Sequence, residues 1–175
     1  MRHLSLRIAA AALGCLMLLL GFTASVGYAQ DVSESWSVPV NLFETTGRAS
    51  EAEVVADPSG TVYVFWAYGA PGNEASGSSQ AIYHVSQEGG FWSQPVDILT
   101  SPGARVARMH SVVADGAGYL HIAWSGSNAI FYSRAYAPQA TLARAWTSPA
   151  MLVSGVNALE PDIATDGRGN LYVVW

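Results

Sequence analysis

The residues of this chain best suited to chemistry are two acidic pairs and a scatter of arginines. Glu51 and Glu53 form one pair, Glu160 and Asp162 the other. Two carboxylates flanking a sugar can serve as general acid and base when the fold fixes their separation. Arg105 and Arg108 could fork onto a carboxylate or sulfate, because a planar guanidinium matches a planar anion. Arg48, His110 and the phenol of Tyr68 complete the ligand-binding candidates. Each has a plain structural alternative: solvated loop charge, or an arginine paired with Glu51 or Glu53 of a neighbouring unit, where an exposed pair contributes little. His84 and His121 lie inside apolar runs, where a core histidine is the expected role. Without a close His pair or a second cysteine besides Cys15, no metal site and no cofactor are expected.

The elements that must position these groups are written in a repeat. Asp57 to Trp66 (DPSGTVYVFW), Asp115 to Trp124 (DGAGYLHIAW) and Asp166 to Trp175 (DGRGNLYVVW) share Asp first, Gly three later and Trp nine later. A flanking motif places Pro three after Trp, at Trp36–Pro39, Trp92–Pro95 and Trp146–Pro149. A third, Ile82 to Ser86, is matched by Ile130 to Arg134. The unit is roughly 55 residues long, with four β-rich runs punctuated by Gly, Ser, Asp and Pro.

The runs can be ordered. Strand one is small and apolar, near Glu53–Ala56, Ser111–Ala114 and Asp162–Thr165. Asp-x-x-Gly closes the turn into strand two, which ends on Trp. There Asp accepts a backbone N–H two residues on and Gly takes the positive φ. Strand three is the Ile-Tyr or Ile-Phe run. Strand four starts at the flanking Trp and carries Pro, which has no N–H for a ladder, so it is the outer edge. Four such strands, repeated, make a β-propeller blade. The tryptophans Trp66, Trp124 and Trp175 are expected between blades. Residues 48–99 and 106–153 form two blades, 160–175 half a blade, and 34–42 a lone outer strand that closes a blade from elsewhere. The fold class is therefore all-β, an incomplete β-propeller of four-stranded antiparallel blades. The candidates Arg48, Glu51, Glu53, Arg105, Arg108, His110, Glu160 and Asp162 fall on one rim, with Tyr68 and Glu74 on the longer 67–80 loop. The stacked aromatics Tyr68, Phe131 and Tyr132 are candidate sugar platforms, with inter-blade core packing as the alternative.

Residues 1–29 read as a secretory signal peptide. Arg2, His3 and Arg7 precede the apolar run Ile8–Leu20, and Gly27-Tyr28-Ala29 is a small-x-small cleavage pattern. Cys15 leaves with it. The expected location is periplasmic or extracellular, by bacterial-type export, with no membrane contact after cleavage. The net charge is −5 and all basic residues besides His are Arg. An acidic chain without Lys is a poor partner for nucleic acid or anionic membranes.

The blade pattern resembles the sialidase superfamily of Asp-box (BNR) repeat proteins. The resemblance rests on IYHVSQEGGFWSQPV (Ile82–Val96), IFYSR (Ile130–Arg134) and the three Asp-x-x-Gly…Trp copies, and covers most of residues 34–175. Ser86 to Trp92 is a shortened Asp-box with Glu for Asp, and Ala135–Ala145 replaces that turn by a longer loop. The resemblance implies a six-bladed propeller of which this chain holds under half. It also implies an arginine triad beginning in an Arg-Ile-Pro run, a Tyr–Glu nucleophile pair and an Asp acid/base. No Arg-Ile-Pro run exists here. Arg48 lies in Thr-Gly-Arg-Ala-Ser, and no catalytic residue carries over. The reading is an exported, non-catalytic binding or scaffolding module for carbohydrate or another extracellular ligand. The alternative is the N-terminal fragment of an exo-sialidase or related glycosidase. The open blade edges are expected to meet missing C-terminal blades or to self-associate.

Overall fold

The structure, a computed structural model, describes residues 37–44, 46–69, 81–102, 107–126, 128–155 and 158–175, without the side chains of Arg108 and Met109. The signal-peptide reading, Arg105 and Glu74 lie outside the described residues. The chain divides into Met1–Pro39 and Val40–Trp175, and every strand among the described residues lies in the second unit.

Eleven strands occupy that unit: β1 (Arg48–Ala56), β2 (Val62–Gly69), β3 (Ala81–Glu88), β4 (Phe91–Trp92), β5 (Val96–Leu99), β6 (Arg108–Ala114), β7 (Tyr119–Gly126), β8 (Ala129–Tyr136), β9 (Ala150–Ser154), β10 (Asp162–Thr165) and β11 (Leu171–Val174). They form three antiparallel sheets. The first runs β1-β2-β3-β4, with β5 also on β3. The second runs β6-β7-β8-β9, and the third is β10-β11. Each sheet is an incomplete propeller's blade in chain order. Proline acts as expected on strand four. It splits the first blade's outer strand at Ser93–Pro95, and in the second β9 begins only after Pro149. Trp146 therefore lies outside the strand it was expected to start, buried beneath it with Nε1–H donating to Ala140 O at 2.9 Å.

The Asp-x-x-Gly turns are superimposable in their bonding. Oδ1 of Asp57 accepts from the backbone of Ser59 (2.9 Å) and Thr61 (3.1 Å). Asp115 does the same for Ala117 (2.9 Å) and Tyr119 (2.8 Å), and Asp166 for Arg168 (2.8 Å) and Asn170 (2.9 Å). Gly60, Gly118 and Gly169 hold φ of 87°, 83° and 84°, the left-handed region other residues resist. The second carboxylate oxygen takes the side chain six residues on: Tyr63 hydroxyl at 3.2 Å, His121 Nε2 at 3.0 Å and Tyr172 hydroxyl at 3.2 Å.

The core is a seam between blades. Tyr63, Phe65, Ile82, Ile98 and Leu99 of the first blade pack with Leu120, Ile122, Trp124, Phe131 and Trp146 of the second. Trp124 is fully buried, stacked 5.7 Å from Phe131, and donates Nε1–H to Ser101 at 3.0 Å. Phe131 is thus core and not a sugar platform. Trp66 is buried on the first blade's other face, under Phe43 at 5.4 Å and Tyr83 at 6.1 Å. Residues 37–44 form no strand, and residues 34–36 of the expected lone outer strand lie outside the described residues. Trp175 departs from the expected inter-blade burial. It is 56% exposed because β11 has only β10 beside it among the described residues.

Trp124→Ala is expected to cost about 3–5 kcal/mol in denaturant unfolding, as large-to-small core changes do. Trp175→Ala is expected to cost less than about 1 kcal/mol.

Candidate functional site

Three residues stand four positions before the turn aspartates: Glu53, Ser111 and Asp162. This shared register puts them side by side across the three inner strands, β1, β6 and β10. Glu53 is half-buried, and its Oε2 accepts the Val112 N–H at 2.9 Å, reaching from the first blade to the second. Ser111 Oγ donates to Asp162 Oδ1 at 2.9 Å, joining the second blade to the third. Two carboxylates from separate blades thus converge on one strand. Burial pushes the Glu53 carboxyl up, the Val112 N–H works against that, and the Asp162 charge adds to the rise.

The backbone beside this row is distorted. β1 is bulged between Ser50 and Glu53, and β6 between Arg108 and His110. Glu51 and Glu160, each two residues before its carboxylate partner, sit at φ of 59° and 52°. A left-handed residue other than Gly costs on the order of 1–3 kcal/mol and persists where the surroundings impose it. Both side chains are exposed. Bulges at this position re-aim the residues that follow, which is how Glu53 is turned toward β6.

The structure places the other candidates as follows. Arg48 is exposed at the start of β1, opposite Gly69. Gly47, just before it, has no room for a side chain, since a Cβ would overlap the Gly69 carbonyl and the Tyr68 ring. Tyr68 is packed edge-on to Phe43 (4.9 Å) and Tyr83 (5.3 Å), in an aromatic cluster away from Glu53. The Arg108 side chain and all of Arg105 lie outside the described residues, so the arginine fork is not in view.

His110 is 4% exposed and faces the first blade, as its pairing opposite Trp124 requires. Neither ring nitrogen has a hydrogen-bond partner among the described residues. Desolvation pulls its pKa down to about 4, and the Phe65 backbone opposes this only weakly. His84, fully buried and stacked 5.3 Å from Phe65, is likewise without a partner and shifted down by burial. His121 is different. With Nε2–H donating to Asp115, its Nδ1 accepts the Tyr132 hydroxyl at 2.8 Å, so Tyr132 is also bound into the frame. In the first blade the corresponding positions hold Tyr63 and His84, the same two side chains exchanged.

The residue that sequence reading missed is Ser111. Its signal was the register: Asp minus four is Glu, Ser and Asp in the three copies. Among the described residues no group of three His, Cys, Asp or Glu could hold a metal ion, and no helix is long and apolar enough to cross a membrane.

The solved structures to which this chain is similar include two glycosidases. One is an α-L-arabinofuranosidase from Lactobacillus brevis, at TM-score 0.53 and 16% identity over 70% of this chain and 43% of its own. The other is a Penicillium chrysogenum α-L-arabinanase in complex with arabinobiose, at TM-score 0.49 and 16% identity over 73% of this chain and 39% of its own. At such identity the likeness to the first is one of fold alone, a β-propeller. The chain spans under half the length of either structure. No protein-family model matches the sequence, and no curated protein matches it.

The neutral histidines make stability depend on pH. His110 binds a proton near pH 6.5 when unfolded but only near pH 4 when folded. Stability should therefore fall as pH drops from 6.5 to about 4, by roughly 3 kcal/mol, with His84 adding in the same direction. The depressed Asp57 and Asp115 lose their contribution only below that window. Urea unfolding across pH 4–7 measures this, and His110→Met should flatten most of the decline.

Proposed function

We propose that the chain supplies consecutive blades of an exported propeller that binds neutral carbohydrate where Glu53 and Asp162 converge on Val112 and Ser111 of the second blade. The observation that carries this reading is the convergence of two carboxylates from different blades on one inner strand, beside two strained glutamates. Carboxylates there accept hydrogen bonds from sugar hydroxyls, and Ser111 can donate or accept. Glu51, Glu53, Glu160 and Asp162 make the described part of the mouth acidic. That balance favours a neutral sugar over an anionic one and supports a pentoside or hexoside ligand more than the sialoside of the Asp-box resemblance. Export rests on the leader pattern of residues 1–29.

A second reading, glycoside hydrolysis, is favoured by the raised pKa of Glu53 beside Asp162. A carboxyl that burial shifts toward its protonated form, with a second carboxyl group beside it, is suited to general-acid work. The likeness in fold to an arabinofuranosidase supports an α-L-arabinofuranoside as the first substrate to try.

Calorimetric titration of the full chain with arabino-oligosaccharides and with sialyllactose tests the proposal. The neutral sugars should bind, and binding should weaken at least tenfold in the Glu53→Gln, Asp162→Asn double variant. Preference for sialyllactose, or neutral binding untouched by the double variant, would contradict it. Release of nitrophenol from p-nitrophenyl α-L-arabinofuranoside, lost in Glu53→Gln, would establish the hydrolytic reading.

A further inference from the structure

The edge of the blades opposite Glu53 carries a second concavity. A groove of about 450 Å³ opens between the first blade and an insertion of the second. Thr61, just before β2, lies at its base. The β3–β4 hairpin supplies Glu88, Phe91 and Trp92 on one side, and Pro138 and Thr141 close the other. The volume is within the range of small-molecule sites, roughly 300–1,000 Å³.

The second wall exists because the blades differ there. The first blade turns from β3 to β4 through Gly89 and Gly90, at φ of 57° and 85°. The second instead runs from Tyr136 to Ala150 through two 3-10 turns, Ala137–Gln139 and Ala143–Ala145. The insertion is fixed in place: Ala137 N–H donates to Gly118 O at 2.9 Å and Trp146 Nε1–H to Ala140 O at 2.9 Å. It leans over the first blade through Trp146, which meets Phe65 edge-on at 6.0 Å.

The lining has a definite chemistry. Phe91 is 82% exposed beside the half-buried Trp92. Glu88 contributes a carboxylate and Thr141 a hydroxyl to the lining. No Lys, Arg or His contributes. Aromatic faces, acceptor oxygens and hydroxyls without a cation suit a ligand with one apolar face and many O–H donors. A neutral sugar ring has both.

We infer that this groove is a second saccharide site, holding one or two rings of a neutral glycan on Phe91 with hydroxyls toward Glu88 and Thr141. The ligand class rests on the carbohydrate reading above, but the site is on the opposite edge and uses none of the same residues.

Saturation-transfer NMR of the full chain with L-arabinose, xylobiose, cellobiose and choline tests it. At least one saccharide should give transfer. Its Kd should rise roughly three- to tenfold in Phe91→Ala and in Glu88→Gln, the loss of one stacking or charged hydrogen-bond contact. Phe91→Tyr should keep the affinity. Phe91 is exposed, so Phe91→Ala should retain its circular dichroism, and Glu88→Gln gives the same readout if it does not. Three results overturn the inference: no saccharide transfer, transfer unchanged in both groove variants, or Glu88-dependent binding of choline alone. The second of these, when accompanied by binding lost in Glu53→Gln, would still support the first site.

Discussion

A blade in this chain cannot bury its own faces, and that constraint organises everything else. β2 sends Phe65 to one side and Trp66 to the other, and both need cover. Phe65 finds it in the second blade and Trp66 in Phe43. Where cover is lacking, apolar side chains stay in water, as Tyr172 and Val174 do at 55% and 64% exposure. The hydrophobic gain therefore belongs to seams and not to blades, as expected of stacked repeats. Chemistry follows the same rule, since Glu53 and Asp162 meet only because their blades flank a third strand.

The turns make the seams possible. Each Asp fixes two backbone N–H groups with one oxygen and the strand behind it with the other. This locks the direction in which strand two leaves the turn and hence which residues face each neighbour. Exchange of Tyr and His between the two complete blades preserves that frame in different ways. His121 completes a chain from Asp115 to Tyr132, whereas Tyr63 satisfies Asp57 and leaves His84 buried and neutral. The seam between the first two blades therefore holds two imidazoles that must stay uncharged.

Much of this was legible in the sequence. Asp57, Asp115 and Asp166 announced their turns because an Asp-x-x-Gly step has few other uses between β-rich runs. Proline at one register marked the outer strands. Less legible were the contacts made across seams. Nothing local says that Glu53 reaches the Val112 amide, although the shared register with Ser111 and Asp162 was available. Trp146 looked like a strand start because its flanking motif matches Trp92, but the inserted 3-10 turns moved the strand to Ala150. Tyr68 looked like a rim residue because it adjoins a long loop, yet alternation along β2 turns it into the Phe43 cluster with Trp66. The carboxylate-rich mouth and the aromatic groove are likewise products of which blades stand side by side.

The most direct measurement of that adjacency is the amide resonance of Val112 followed through pH in labelled protein. A hydrogen bond accepted by Glu53 predicts a downfield amide proton that shifts with the Glu53 carboxyl, with a midpoint above its ordinary value of 4.5. Glu53→Gln should abolish that shift while the spectrum stays folded. A Val112 amide indifferent to both would contradict the contact between the first two inner strands, and the first site with it.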